Sequence, residues 1–178
     1  MYQDILTFWF AETAPKSWWS AAPEFDALVQ ARFGDVLRRT AQGEFSDWRA
    51  SPGGRLAEIL ILDQFSRNAF RDTPAAFAQD PMALALSQEA LTAGAHRALA
   101  PIECAFLFMP YMHSESALIH RQAEALFREY APKDNHDFEL RHKAIIDRFG
   151  RYPHRNAILG RASSAQEIEF LKQPGSRF

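Results

Sequence analysis

The chain has 178 residues, 47% of them hydrophobic and 24% charged, which suits one globular domain with a single sizeable core and excludes a disordered or fibrous chain. A formal net charge of −2 supplies no global field to steer the molecule onto nucleic acid or anionic lipid. One cysteine, Cys104, excludes an internal disulfide and a cysteine-based zinc module.

In chain order, the first apolar group is Phe8-Trp9-Phe10, followed by Trp18-Trp19; packing of a first helix onto the core is the simplest reading. An amphipathic helix is predicted from about 24 to 42, with Phe25, Leu28, Val29, Phe33, Val36 and Leu37 on one stripe and Gly43 as its stop. Gly53-Gly54 opens a helix that is apolar almost all round through Leu62, with Asp63 set inside it. Asp80-Pro81 reads as an N-cap with Pro at the first helical position, and Gly94 closes that helix. Pro101 opens the next, which Pro110 should kink or end. Further helices are predicted from about 115 to 130 and from a cap at Asp134 or Asn135 to Gly150. Ser164 and Glu167 form a capping box for a short last helix. Nothing alternates with period two, so the expected fold class is all-α. We expect seven to eight helices as antiparallel hairpins in a single helical domain spanning residues 1–178.

Cys104 lies in an apolar run and reads as an inert core thiol. The first residues carry no basic region, and no stretch reaches the roughly 20 apolar residues of a membrane span, so a cytoplasmic location and no membrane partner are expected.

Three places carry chemistry. Asp63 would be costly unpaired in so apolar a helix; Arg67 stands four residues later in the favourable order, with Gln64, Asn68 and Arg71 beside it. That pair alone makes a structural ion pair. The run Pro110 to Glu115 places His113 and Glu115 after a Pro-broken helix, although Ser114 and Glu115 also suit the start of the following helix. The third place groups Arg148, Arg151, His154, Arg155 and Asn156 around Gly150 and Pro153. So many cations need internal carboxylates, with Asp63, Glu58, Glu103 and Glu115 as candidates, or else a bound anion.

No zincin-spaced histidine pair, nucleophile elbow, phosphate loop or dinucleotide fingerprint occurs, so no cofactor is expected. A metal set of His113, Glu115, His142 and His154 would need the fold to gather it and is not expected. Phe149 and Tyr152 interleave the basic run, yet the shortage of Lys and the neutral balance argue against nucleic acid.

Several of these motifs together resemble an uncharacterised bacterial family, domain of unknown function nine-two-four. They are Phe8-Trp9-Phe10; Leu62-Asp63-Gln64-Phe65 with Arg67-Asn68; Pro110 with His113-Ser114-Glu115; His142; Arg148-Phe149-Gly150-Arg151 with Pro153, His154, Arg155 and Asn156; Leu159-Gly160-Arg161; and Ser164 with Glu167. Ser66 stands where the family often has Pro. The resemblance implies a tetratricopeptide-type α/α superhelix, although no clean 34-residue repeat signature is present. It implies no activity, cofactor or catalytic residue.

The expectation is a pocket lined by Asp63, Arg67, Asn68, His113, Glu115, Arg148, Arg151, Arg155 and Asn156 that binds a small anionic ligand or an acidic peptide end. Two alternatives stand beside it. One is a hydrolase or transferase using His113 or His154 as acid/base; the other is a scaffold that binds a partner protein, its polar cluster purely structural.

Overall fold

A computed structural model describes residues 1–176. Helix α1 (Tyr2–Thr7) runs into a π-turn at Phe8–Glu12, and α2 spans Pro23–Ala41. Helix α3 (Pro52–Leu60) continues without a break through a second π-turn, Ile61–Phe65, into α4 (Ser66–Ala69). Then come α5 (Asp80–Thr92), α6 (Pro101–Met112), α7 (Ala117–Tyr130), α8 (Lys133–Phe149) and the short α9 (Ala165–Phe170). Short 3₁₀ turns link several of them, and among the described residues there is no strand. No helix among the described residues is long and apolar enough to cross a membrane.

The boundaries follow the punctuation. Pro23, Pro52 and Pro101 each occupy a first helical position, where the missing N–H costs nothing. The Ser51 hydroxyl accepts from Gly54 N at 3.1 Å, and the Ser164–Glu167 box forms in both directions. Gly43, Gly94 and Gly150 leave their helices with φ near +70°, a region that favours glycine.

The continuous α3–α4 helix is the centre of the core. Leu56, Ala57, Ile59, Leu60, Ile61, Leu62 and Phe65 are all buried, packed by α1, α2, α5 and α6. Phe8, Trp9, Phe25, Phe33, Phe65, Trp18 and Phe106 interlock ring against ring, with centroids 4.8–6.4 Å apart. Helices α6, α7 and α8 follow one another with connections of four residues (113–116) and two residues (131–132) and pack in that order.

Pro110 stands two residues before the end of α6, which closes at Met112 with His113 N donating to Met109 O at 2.9 Å. Three local expectations are corrected. Leu28 is 45% exposed, because α2 turns its stripe toward Val29, Phe33 and Leu37. Helix α8 begins at Lys133 with Pro132 as its cap, so Asp134 and Asn135 lie inside the first turn. Asp80 is not a cap; Gln79 holds that position and the Asp80 side chain is used elsewhere.

Candidate functional site

Asp63 is fully buried, in the middle of the π-turn of the central helix. Such a turn inserts one residue into the helical register and re-aims the side chains around it, a feature concentrated at functional sites. Both oxygens of its carboxylate are engaged: Oδ1 meets His113 Nδ1 at 2.7 Å and Arg67 Nη1 at 3.2 Å, and Oδ2 accepts from Gln64 Nε2 at 2.5 Å. Burial alone would raise the Asp63 pKa, but Arg67 and His113 outweigh it and hold the group well below the usual carboxylate range. His113 is pushed down, first by burial and then by Arg67, against the opposing pull of Asp63. A neutral His113 beside an ionised Asp63 carries its proton on Nδ1 and leaves Nε2 as a lone pair.

A lattice of alternating charges frames this pair. Arg67 donates two bonds to Asp80, at 2.9 and 3.0 Å, and a third to Asp63 O at 2.8 Å. Arg155 donates to the same Asp80 at 3.2 Å and to His113 O at 3.0 Å. Its guanidinium carbon lies over the Phe77 ring and over the Tyr152 ring, 4.6 and 4.7 Å from their centroids. On the far side Glu115 accepts from Arg161 at 2.6 and 2.9 Å and from Tyr152 N at 2.7 Å. Glu115 therefore ties the 150–161 segment to the turn after α6 rather than capping α7, whose N-cap is Ser116. Burial opposes ionisation of Glu115, yet Arg161 and the Tyr152 N–H leave its pKa lowered.

A cavity of about 410 Å³ opens on this lattice. Phe77, Leu84, Pro110 and Leu159 supply apolar walls; Asp80, His113, Ser114, Glu115 and Arg155 supply the polar end. The size lies toward the lower end of the range for small-molecule pockets, about 300–1,000 Å³.

The structure brings Asp63, Arg67, His113, Glu115 and Arg155 together and leaves other expected residues elsewhere. Asn68 donates to Asp26 at 2.8 Å, in a separate cluster with Arg71. Arg151 pairs with Glu167 at 2.7 and 2.9 Å, and that pairing is the leading cause that lowers the Glu167 pKa to about 2. Arg148 is exposed and covers the Phe149 and Phe170 rings. Asn156 is buried one layer back, accepting from Arg161 at 3.0 Å and donating to Ser163 at 3.0 Å. His154 is largely buried, which is the main reason its pKa falls to about 4. Glu58 and Glu103, considered as partners for these arginines, instead pair with Arg49 and cap Ala100 N.

Sequence reading missed two features. Asp80, taken for a cap, is the junction of Arg67 and Arg155. Behind the cavity lies a second, fully buried pair: His120 Nδ1 and Glu139 Oε1 at 2.7 Å, with His120 Nε2 2.9 Å from Ser114 O and 3.2 Å from the Tyr152 hydroxyl. Tyr152 in turn donates to Met112 O at 2.5 Å. A signal for it existed. Asn135, Glu139, His142 and Ile146 follow the spacing of a helix's buried stripe, and three of the four are polar.

The chain matches the model of the family described as bacterial protein of unknown function (DUF924) over residues 5–175. It is similar to the solved structure of ATU0120, a protein of unknown function from Agrobacterium tumefaciens, with a TM-score of 0.91, 32% identity and 96% of each chain covered. No curated protein matches it. A match across residues 5–175 places the chain in this bacterial family, to which it belongs.

Proposed function

We propose that the cavity is a small-molecule site in which His113 accepts and returns a proton, with Asp63 as its orienting partner. The observation that carries this reading is the 2.7 Å contact between His113 Nδ1 and a completely buried Asp63, at the polar end of a cavity that His113 itself lines. A base needs a fixed ring, a defined tautomer and an open nitrogen. The π-turn, the Asp63 carboxylate and the cavity supply these in turn. Chemistry of this kind suits a hydrolase that activates water or a transferase that deprotonates an acceptor.

The guanidinium groups have another role. Arg67 and Arg155 are matched by Asp63 and Asp80, and Arg161 by Glu115, so the cluster holds three cations against three anions. A lattice already neutralised offers an incoming anion little attraction, which weakens the case for an anion-gripping pocket.

The test needs no substrate. Nitrogen-detected NMR on the wild-type protein at pH 7 should show His113 neutral with the proton on Nδ1. Diethyl pyrocarbonate, which acylates an open imidazole nitrogen, should modify His113, with the Asp63→Asn variant slower by at least about tenfold. A charged His113, the opposite tautomer, or a modification rate indifferent to Asp63 would overturn the reading.

A further inference from the structure

Three consecutive carbonyls at the end of α6 have no backbone partner. A helix leaves its last C=O groups unmatched, and no backbone N–H among the described residues donates to Met112 O, His113 O or Ser114 O. Each accepts from a side chain instead: Met112 O from the Tyr152 hydroxyl at 2.5 Å, His113 O from Arg155 at 3.0 Å and Ser114 O from His120 Nε2 at 2.9 Å. The main chain that carries His113 is thus held from α7 and from the segment after α8, while Asp63 holds its ring from the central helix.

His120 and His113 make the same pair in opposite settings. Each ring sets Nδ1 2.7 Å from a buried carboxyl group, Glu139 for one and Asp63 for the other. His113 lines the cavity and leaves Nε2 open. His120 is fully buried, does not line the cavity, and directs Nε2 at Ser114 O. It has neither access nor a free nitrogen with which to act as a second base. Stability does not account for the pair either, because well-packed apolar residues in place of a buried polar pair are often neutral or stabilising. What His120 does have is a direct hold on the residue next to His113. Tyr152 joins it, its hydroxyl 3.2 Å from His120 Nε2.

We infer that Glu139, His120 and Tyr152 are positioning residues for His113, fixing the 112–114 main chain from behind the cavity and so keeping the imidazole aimed at Asp63. Glu139 orients the His120 ring; His120 and Tyr152 then hold the carbonyls on either side of His113. An aimed base needs its backbone fixed as well as its ring, and such support comes from groups that never meet the ligand. The inference rests on His113 being the base proposed above and names what keeps it in place.

Nitrogen-detected NMR at pH 7 reads the aim of the ring as the ratio of Nδ1–H to Nε2–H forms of His113, a property of the folded state that a change in overall stability leaves alone. Glu139→Leu strips His120 of its partner, and Tyr152→Phe removes one oxygen and leaves the ring. Each should lower the ratio at least about fivefold. Glu139→Gln keeps a hydrogen bond to His120 and should stay within about twofold of wild type. Melting temperatures establish that the variants are folded; should Glu139→Leu not fold, Tyr152→Phe decides alone. Folded Leu and Phe variants with the wild-type ratio would overturn the inference, and so would a Gln variant displaced as far as the Leu one. A wrong tautomer in the wild type sinks the base itself, whereas an unmoved ratio in these variants sinks only their positioning role.

Discussion

His120 has an acceptor on each side. Ser114 O stands 2.9 Å from Nε2, which must therefore carry a proton, and Glu139 stands 2.7 Å from Nδ1. The proton in that second contact belongs either to the imidazole or to the acid. Burial dominates at Glu139 and raises its pKa, and its Oε2 has no partner among the described residues. An orphaned carbonyl oxygen costs less than an orphaned charge, which favours the acid form of Glu139. Glu139→Gln, whose amide can donate as the acid does, should then cost less than about 1 kcal/mol in urea unfolding, whereas Glu139→Leu should cost about 2–3 kcal/mol. A buried ion pair would instead make the Gln variant lose about 3–5 kcal/mol. Sequence reading placed Asp63 with Arg67 because four residues on a helix bring side chains together. Asp80 escaped it because an Asp before Pro serves a cap or a distant arginine equally well, and only tertiary packing decides between them.

At the scale of elements, Pro and Gly punctuation made nearly every helix visible, since a missing N–H and a positive φ are local requirements. The π-turn at Ile61–Phe65 was not visible. Its register slips by one residue without changing composition or hydrophobic pattern, and the contacts of Arg67 and His113 with Asp63 at its middle are tertiary or depend on the turn itself. The start of α3 shows how tightly the central helix is seated. A Cβ on Gly54 would lie 2.1 Å from Trp48 O and 2.8 Å from Trp48 C, both backbone atoms that cannot step aside. Gly54→Ala should therefore cost about 2–3 kcal/mol despite the better helix propensity of alanine. A chemical-denaturation midpoint equal to or above wild type would contradict that close approach.

Across the whole molecule, the site is assembled from partners far apart in the chain. Asp63 and His113 are 50 residues apart, Asp80 and Arg155 are 75, and Glu115 and Arg161 are 46. Periodicity could foretell the helices but not the angles at which they meet, so Arg151 and Arg148 could not be separated from Arg155 by sequence alone. The same burial governs the response to acid. His142 is depressed to about 3 and His154 to about 4, both chiefly by burial, and His113 is lowered as well. Between about pH 6.5 and 4.5 the unfolded chain takes up protons on His142 and His154 that the fold refuses, the lowered His113 adds in the same direction, and the raised Glu139 opposes them. Two refused protons make stability fall by up to roughly 2–3 kcal/mol per pH unit as pH drops through this window. Urea midpoints measured from pH 7 to 4.5 would check it, and a flat profile would contradict the neutral interior histidines.

Phe65, the last residue of the π-turn that carries Asp63, packs on Trp9 with ring centroids 5.4 Å apart. Trp9 is wholly shielded from solvent, whereas Trp19 is 53% exposed. An aqueous quencher such as acrylamide dims Trp19 and leaves Trp9 glowing. The light that survives comes from the buried Trp9 and Trp48, and the Trp9 share of it reports on the turn that holds Asp63, so a ligand entering the proposed site can be followed without a label.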